Sequence, residues 1–582
     1  MTSPVDTARR AFIARCGALG VGSTLFPGVL WAKVAAGEEI TTASIAAAAE
    51  IAGVSFTPEE REQMLDGLKR QSERLEALHA IPLTNATAPA IVFSPLPRPD
   101  ALPTEVQRPI VPSRVSARAA GRDSATGGRV SGARRRGSDL ESLAFASVLD
   151  LADLVRRREV TSMQLTTMYL DRLARLDEKL LCVTTLTRER ALERAAAADT
   201  EIAAGRYRGP LHGIPWGAKD LLAVTGYPTT WGAAPFRDQM FAEDATVVKR
   251  LDAAGAVLIA KLTLGELAQG DRWYGGRTRN PWNLEQGSSG SSAGPASATA
   301  AGCVGFSIGS ETLGSISSPS TRCGVTGLRP TFGRVPRTGA MALSWSMDKL
   351  GPMCRTVEDC ALVLAAIQGP DGADQSVHRA AFNWRGSAGA RGLRVGYVQS
   401  AFERTVEDGH TTKPFDDAVL EVLRTLGVEL VPVEIPDLDY NAMRIILTAE
   451  AGAAFDELTR SGRDEELAQQ GPGAWPNTFR TSRLIPAVDY VNANRVRTLA
   501  IAAWDELMRD IDVIVAPTSS GQLTATNLTG HPAVILPNGF RENGTPVSIT
   551  FLGRLFGEET LLRVAEAYQQ ATPHHLRHPE LG

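Results

Sequence analysis

Three short stretches hold residue types that can break an acyl bond if the fold brings them together. "LHGIPWGAKD" at 211–220 sets Lys219 beside the small residues Gly217 and Ala218. "GSSGSSAGPASATAAG" at 287–302 is almost entirely Gly, Ser, Ala and Thr. "GSETLGSISSPSTRCGVTGLRPT" at 309–331 places Ser315 directly after Gly314 in a turn dense with small side chains. A serine hydroxyl is a poor nucleophile until a base takes its proton. A lysine with its ordinary pKa of about 10.4 is protonated at neutral pH and cannot be that base. Burial among apolar and small groups disfavours the ammonium and brings the amine toward neutrality. Each stretch alone is weak evidence. A lone lysine is usually a surface residue, and a Gly/Ser-rich run usually behaves as loose linker.

Together and in this order, the three resemble the amidase signature family. "GIPWGAKD", "GSSAGPASATAAG" and "GSETLGSI" match its lysine segment, its Gly/Ser stretch and its nucleophile turn. "NPWN" (280–283), "CGVTGLRPTFGRVPRTG" (323–339), "SMDKLGPMCRTVEDCALVL" (346–364) and "GHPAVILPNGF…FLGRLFGEETLLRVAEAYQ" (530–568) extend the likeness over roughly residues 140–570. The resemblance implies Ser315 as nucleophile, Lys219 as base, and Ser291 as a bridging serine that family members hold on a cis peptide. It implies an oxyanion hole from the backbone N–H groups of Thr312, Leu313, Gly314 and Ser315. Two GSS units stand in tandem here, 287–289 and 290–292. Counting from "ATAAG" and from Ser315 selects Ser291 rather than Ser288. Many family members have glycine and arginine where this chain has Leu313 and Ser317, and Gly and Ser where it has Ala293 and Pro295.

The implied activity is amide hydrolysis through an acyl-enzyme on a small-molecule amide, with no metal or organic cofactor. Three alternatives stay open. One is the glutaminase component of a tRNA-dependent amidotransferase, which needs partner subunits. Another is a carbamate or ester hydrolase on the same scaffold. The third is a non-catalytic binding protein. The segment from about 370 to 510 is expected to line the cleft. Trp273, Tyr274 and Trp345 are candidates to hold an apolar acyl or amine group, and read equally well as core. Histidine is not required: of eight, three stand in the tail at 574, 575 and 578, and His212 reads as structural.

The elements that must position these residues follow an α/β pattern from about residue 140. "ESLAFASVLDLADLVRRREVTSMQLTTMYLDRLARLD" reads as two amphipathic helices. Short apolar strands follow at 256–260, 393–398, 512–517 and 533–537, separated by helical stretches. Such alternation points to a large mixed β-sheet covered on both faces by helices. The chain has 582 residues with 61 basic and 65 acidic side chains, so nothing in its charge calls for nucleic acid as a partner. With 43% hydrophobic and 22% charged residues it reads as a soluble globular protein without a membrane span. Six scattered cysteines form no CxxC pair and read as small core residues. Whether the chain is a homodimer stays open.

An N-terminal extension precedes this domain. Residues 1–36 carry Arg9 and Arg10, then a weakly apolar stretch, and resemble a twin-arginine export signal. Residues 37–80 read as a helical accessory segment whose Thr57, Pro58 and Glu60 form a capping box. Residues 81–139 are rich in Pro, Arg and Ser and read as a linker or wrapping arm. The catalytic domain is expected over 140–572, with a tail at 573–582.

Overall fold

The computed structural model describes residues 40–51, 55–79, 84–87, 91–98, 101–113, 140–406, 409–518 and 520–581. The twin-arginine pattern at 1–36 lies outside the described residues, as does the Arg-rich stretch at 114–139.

The core is one 11-stranded sheet. Its strands are β1 (Val183–Leu186), β2 (Pro215–Lys219), β3 (Val257–Leu262), β8 (Phe306–Glu311), β9 (Thr326–Arg329), β10 (Lys349–Cys354), β11 (Arg394–Val398), β12 (Glu429–Val433), β13 (Val513–Pro517), β14 (Ala533–Phe540) and β15 (Pro546–Gly553). The short strands β4 (Arg272–Trp273), β5 (Gly276–Arg277), β6 (Arg279–Asn280) and β7 (Asn283–Gly287) form two separate ribbons. The order in the sheet is β1-β3-β2-β8-β10-β9-β14-β15-β13-β11-β12. β2 runs parallel to both β3 and β8, and β11 runs parallel to both β12 and β13. The middle of the sheet, from β8 to β13, is antiparallel. Every residue of β2, β3, β8, β9, β10 and β13 is buried, so helices cover both faces. This is the mixed, doubly covered α/β sheet that the alternation predicts.

The paired helices expected near residue 150 are Val148–Arg156 and Ser162–Leu180. The second starts on a full capping box from Thr161 and Gln164. Its apolar stripe of Leu165, Tyr169, Leu173, Leu176 and Leu180 is buried in the main core. Cys182, Cys303, Cys323, Cys354 and Cys360 are buried free thiols. Among the described residues, no helix is long and apolar enough to cross a membrane.

Ahead of this body, helices Thr42–Ile51 and Pro58–His79 pack on each other through Ile40, Ile45, Met64, Leu65 and Leu68. The second has its expected cap. Thr57 N–H donates to Glu60 Oε2 at 2.7 Å, and Glu60 N–H donates to Thr57 Oγ1 at 3.2 Å. The following arm lies along the body. Asn85 exchanges two 2.7 Å hydrogen bonds with the Ala342 backbone. The Arg497 guanidinium stacks 3.4 Å over the Phe93 ring. Gln107 pairs with the Phe382 backbone, and Val111 N–H donates to the Trp384 carbonyl at 2.9 Å.

Candidate active site

Lys219 is the last residue of β2. Trp216 pairs with Phe306 and Ala218 with Ile308, so Lys219 comes level with Gly309 and its side chain reaches the end of β8. The backbone must close in here. A Cβ on Gly309 would lie 2.7 Å from Ser292 Oγ and 2.9 Å from Met353 Sδ. Bare backbone at 309 therefore lets the Ser291–Ser292 segment sit directly against the strand.

Lys219 Nζ is fully buried and lies 2.8 Å from Ser291 Oγ, 3.0 Å from Ser292 Oγ and 2.9 Å from Ser310 Oγ. The Ser310 carbonyl is 3.4 Å away. Burial drives Lys219 well below the ordinary ammonium range, and the attraction of Asp348 and Glu311 does not restore it. Ser292 fixes the direction of its own hydrogen bond to the lysine. Ser292 Oγ donates its single proton to the Ser310 carbonyl at 3.1 Å and accepts from Ser310 N–H at 3.1 Å. Toward the lysine it can only accept. In its uncharged form the amine has N–H groups for Ser292 and Ser310 and a lone pair for the O–H of Ser291.

The peptide bond Gly290–Ser291 is cis. The Ser291 carbonyl accepts from Gly265 N–H at 3.3 Å, and Ser292 N–H donates to the Ser315 carbonyl at 3.1 Å. The backbone of Ser315 therefore abuts the Ser291–Ser292 pair. Exposure rises from 0% at Lys219 through 1% at Ser291 to 8% at Ser315, so Lys219 is the most deeply enclosed of the three.

Ser315 stands in the turn between β8 and the helix Ser317–Cys323. Gly314 has φ +93°, which a side chain rarely tolerates. Among the described residues, no loop or turn carbonyl accepts from the N–H of Thr312, Leu313, Gly314 or Ser315. Thr312 Oγ1 donates to Asp348 Oδ1 at 2.5 Å, and Asp348 Oδ2 takes the N–H groups of Leu343 and Ser344 at 2.8 and 2.9 Å. The Leu313 side chain packs against a small cluster that includes Met347, Met443, Ile446 and Leu528, so it anchors the turn.

Glu311 braces the same turn from below. Its Oε2 accepts from Ile316 N–H, Ser317 N–H and Ser317 Oγ, each at 2.8 Å. Its Oε1 accepts from Arg329 at 2.8 Å and from Asn527 at 2.7 Å. Arg329 reaches the carboxylate from β9, and Ser317 meets it through its hydroxyl and N–H. Burial alone would raise the Glu311 carboxyl, but Arg329 and the surrounding donors hold it at about 2. Its stabilising contribution is complete above the unfolded value of about 4.3 and is lost as pH falls toward about 2. Glu311→Gln places an NH₂ among donors and leaves buried Arg329 without its counter-ion. It is expected to cost about 3–5 kcal/mol of stability, read as a lowered urea midpoint.

The structure brings Lys219 and Ser291 into contact and sets the Ser315 backbone beside them. Ser288 is elsewhere: its Oγ donates to the Ser289 carbonyl at 3.0 Å. Ser292, Ser310, Asp348 and Arg329 were not expected at the site. The one available signal was a serine near the end of a buried strand, Ser310 in β8. His212 is buried and accepts from Arg208 N–H at 3.2 Å, a structural contact. Trp345 ties down Arg337 through its carbonyl at 2.8 Å. Asp220, next to the lysine, forms a fully buried 2.7 Å ion pair with Lys261.

A family model described as Amidase matches residues 164–562. By sequence, the chain is 36% identical over 482 residues to the A subunit of glutamyl-tRNA(Gln) amidotransferase from Roseiflexus sp. (strain RS-1), covering 74% of this chain and 97% of that protein. Among solved structures, it resembles the native peptide amidase of Stenotrophomonas maltophilia with TM-score 0.66 and 31% identity over 74% of this chain and 97% of that one. It also resembles the A subunit of glutamyl-tRNA(Gln) amidotransferase from Thermotoga maritima, with TM-score 0.62 and 26% identity over 74% of this chain and 96% of that one.

Proposed function

The chain belongs to the amidase signature family, an enzyme family of amide C–N bond hydrolases, and on that footing we propose that Ser315 forms the acyl-enzyme while Ser291 and Lys219 relay its proton. The observation that carries this reading is the 2.8 Å contact between Lys219 Nζ and Ser291 Oγ in a fully buried setting. Neutral Lys219 accepts the proton of Ser291 as Ser291 accepts that of Ser315. Ser315 Oγ bonds to the amide carbon, and the carbonyl oxygen takes the negative charge. The N–H groups of the 312–315 turn receive that charge, and losing one such donor typically costs about 10²–10³-fold in rate. The C–N bond then breaks as the relay returns the proton to the leaving nitrogen. Ammonia or an amine departs, and water splits the acyl ester to a carboxylate.

The bridging role has its own test. Ser291→Ala is expected to lower kcat by about 10²–10⁴-fold, the usual worth of a positioned acid–base group. Ser288→Ala, which removes only a local hydrogen bond, should stay within about threefold of wild type. Steady-state rates on one amide for both variants decide it. A larger loss at 288 than at 291 would move the bridge to the other GSS unit.

A second reading has a specific observation behind it. The sequence relatives favour a glutaminase component of a tRNA amidotransferase over a free-standing amidase, since the match covers 97% of the Roseiflexus protein at 36% identity. The peptide amidase likeness, with TM-score 0.66, supports the free-standing enzyme. Assay of the purified chain without partners separates them. Ammonia release from simple amides under those conditions supports the amidase. Activity confined to glutamine, and only after partner subunits are added, supports the amidotransferase. We assign the catalytic domain to 140–572 and keep residues 1–36 as a twin-arginine signal. Cleavage near Ala35–Ala36 in the native host, read by N-terminal mass spectrometry, tests that assignment and, if found, counts against the amidotransferase.

A further inference from the structure

The arm that leads into the body meets one turn of it, 342–348, at two places. Asn85 holds the near end. Its side-chain amide donates to the Ala342 carbonyl and accepts from the Ala342 N–H, both at 2.7 Å. An asparagine presents a donor and an acceptor side by side, so it serves both backbone groups of one residue as a neighbouring strand would. Phe93 acts on the far end. Its ring lies 3.4 Å from the Arg497 guanidinium, which donates to Ser346 Oγ at 2.8 Å and to the Ser346 carbonyl at 2.7 Å. Pro95 seats this part of the arm. It is buried, and a Cβ on Gly530 would lie 2.8 Å from its own Cβ. The arm precedes residues 164–562, the stretch that matches the family.

The clamped turn is what the 312–315 turn rests on. Asp348 takes the N–H groups of Leu343 and Ser344 on Oδ2 and the hydroxyl of Thr312 on Oδ1. Leu313 packs in the cluster that holds Met347. Two successive residues of the 312–315 turn are thus set against 342–348. On its other side the same segment is tied to the chain leaving β2, where Met341 N–H donates to the Leu221 carbonyl at 3.0 Å. A run of hydrogen bonds therefore joins Asn85 to Thr312. It passes from the amide to Ala342, from the next two N–H groups to Asp348, and from Asp348 to the Thr312 hydroxyl. Donors to a developing oxyanion act by position, so shifting the turn that supports them costs rate even when every donor remains.

We infer that Asn85 is a positioning residue for the oxyanion turn, and that the N-terminal arm braces the active site. This rests on the amide-hydrolase reading and adds to it a part of the chain outside the family match. Ala342 is half-buried, so water can replace the Asn85 amide and Asn85→Ala should fold. In the full-length chain that variant is expected to lower kcat about 3- to 30-fold, the usual reach of a residue coupled to a site it does not touch. KM should stay within about twofold, since the donors act in the transition state. Gln107→Ala cuts another anchor of the same arm, on the Phe382 backbone, and should leave both constants unchanged. In a Thr312→Val background the link to Asp348 is already gone, and Asn85→Ala should add less than about twofold. Amide hydrogen exchange over 309–317 and 341–348 reads the two turns apart from turnover, and should quicken in both segments on Asn85→Ala. Faster exchange in both, in a chain that cleaves no amide tried, supports the brace and counts against the hydrolase reading instead. Four results would overturn the inference: kcat of Asn85→Ala within about twofold of wild type, an equal loss in Gln107→Ala, the full further loss in the Thr312→Val background, or exchange that quickens at 341–348 alone.

Discussion

Ser315→Ala is expected to lower turnover of every amide the wild type cleaves by about 10⁴-fold or more, because it removes the atom that bonds to the substrate carbon. The rest of the site should survive the change. The 3.1 Å contact from Ser292 N–H to the Ser315 carbonyl is backbone and does not depend on the hydroxyl. At 8% exposure, the lost Oγ leaves neither a large cavity nor a buried charge. The variant should therefore melt close to wild type, and the residual rate should be what donors and binding alone provide. A fluorophosphonate that reacts with activated serines should add one adduct to wild type, at Ser315, and none to the variant. Intact-mass and peptide analysis would show it. A variant that turns over simple amides at the wild-type rate would end the serine mechanism for this chain.

How much of this was legible in the sequence depended on what holds each part together. The apolar runs at 256–260, 393–398, 512–517 and 533–537 became β3, β11, β13 and β14 because β-branched residues in short runs suit a buried strand. The strands nearest the site were harder to see. β10 reads "KLGPMC" and β9 reads "TGLR", with Gly and Pro that local propensity sets against a strand. Pairing across β8, β10 and β9 and full burial on both faces override that preference. The site divided in the same way. Lys219, Ser291 and Ser315 stand in stretches whose small residues mark close backbone approach. Ser310 and Asp348 stand in stretches that share the likeness, but only the sheet register and the 344–348 turn bring them to the lysine and to Thr312. Arg329 reaches Glu311 from β9, on the far side of β10, a meeting that no local spacing encodes. The GSS stretch is buried backbone running into the helix Ala293–Ala300, where the composition alone suggests a linker.

Lys219→Met is expected to remove catalysis while strengthening the fold, a combination that a merely structural lysine would not show. Methionine fills nearly the same volume without a polar head, so packing in the fully buried pocket is kept. Without the amine, Ser291 has no acceptor for its proton, and kcat should fall by about 10²–10⁴-fold or more. The pH dependence fixes the cause. Burial lowers the Lys219 pKa well below its ordinary value, so wild-type kcat/KM should rise with pH through the lowered pKa and level off above it. The Met variant should lack that limb. Stability should move the opposite way. Because the folded pKa lies below the unfolded value of about 10.4, the unfolded chain binds more protons between the two. The lysine then costs stability that grows as pH falls from about 10.4 to the lowered folded pKa and is constant below it. The Tm difference, Met variant minus wild type, should therefore widen as pH falls across that window. A variant that loses stability at every pH, or keeps the acidic limb in its residual activity, would show that Lys219 is charged in the native protein and is not the base. The lone pair aimed at Ser291 would then have to be abandoned with it, since a protonated amine can only donate to that hydroxyl.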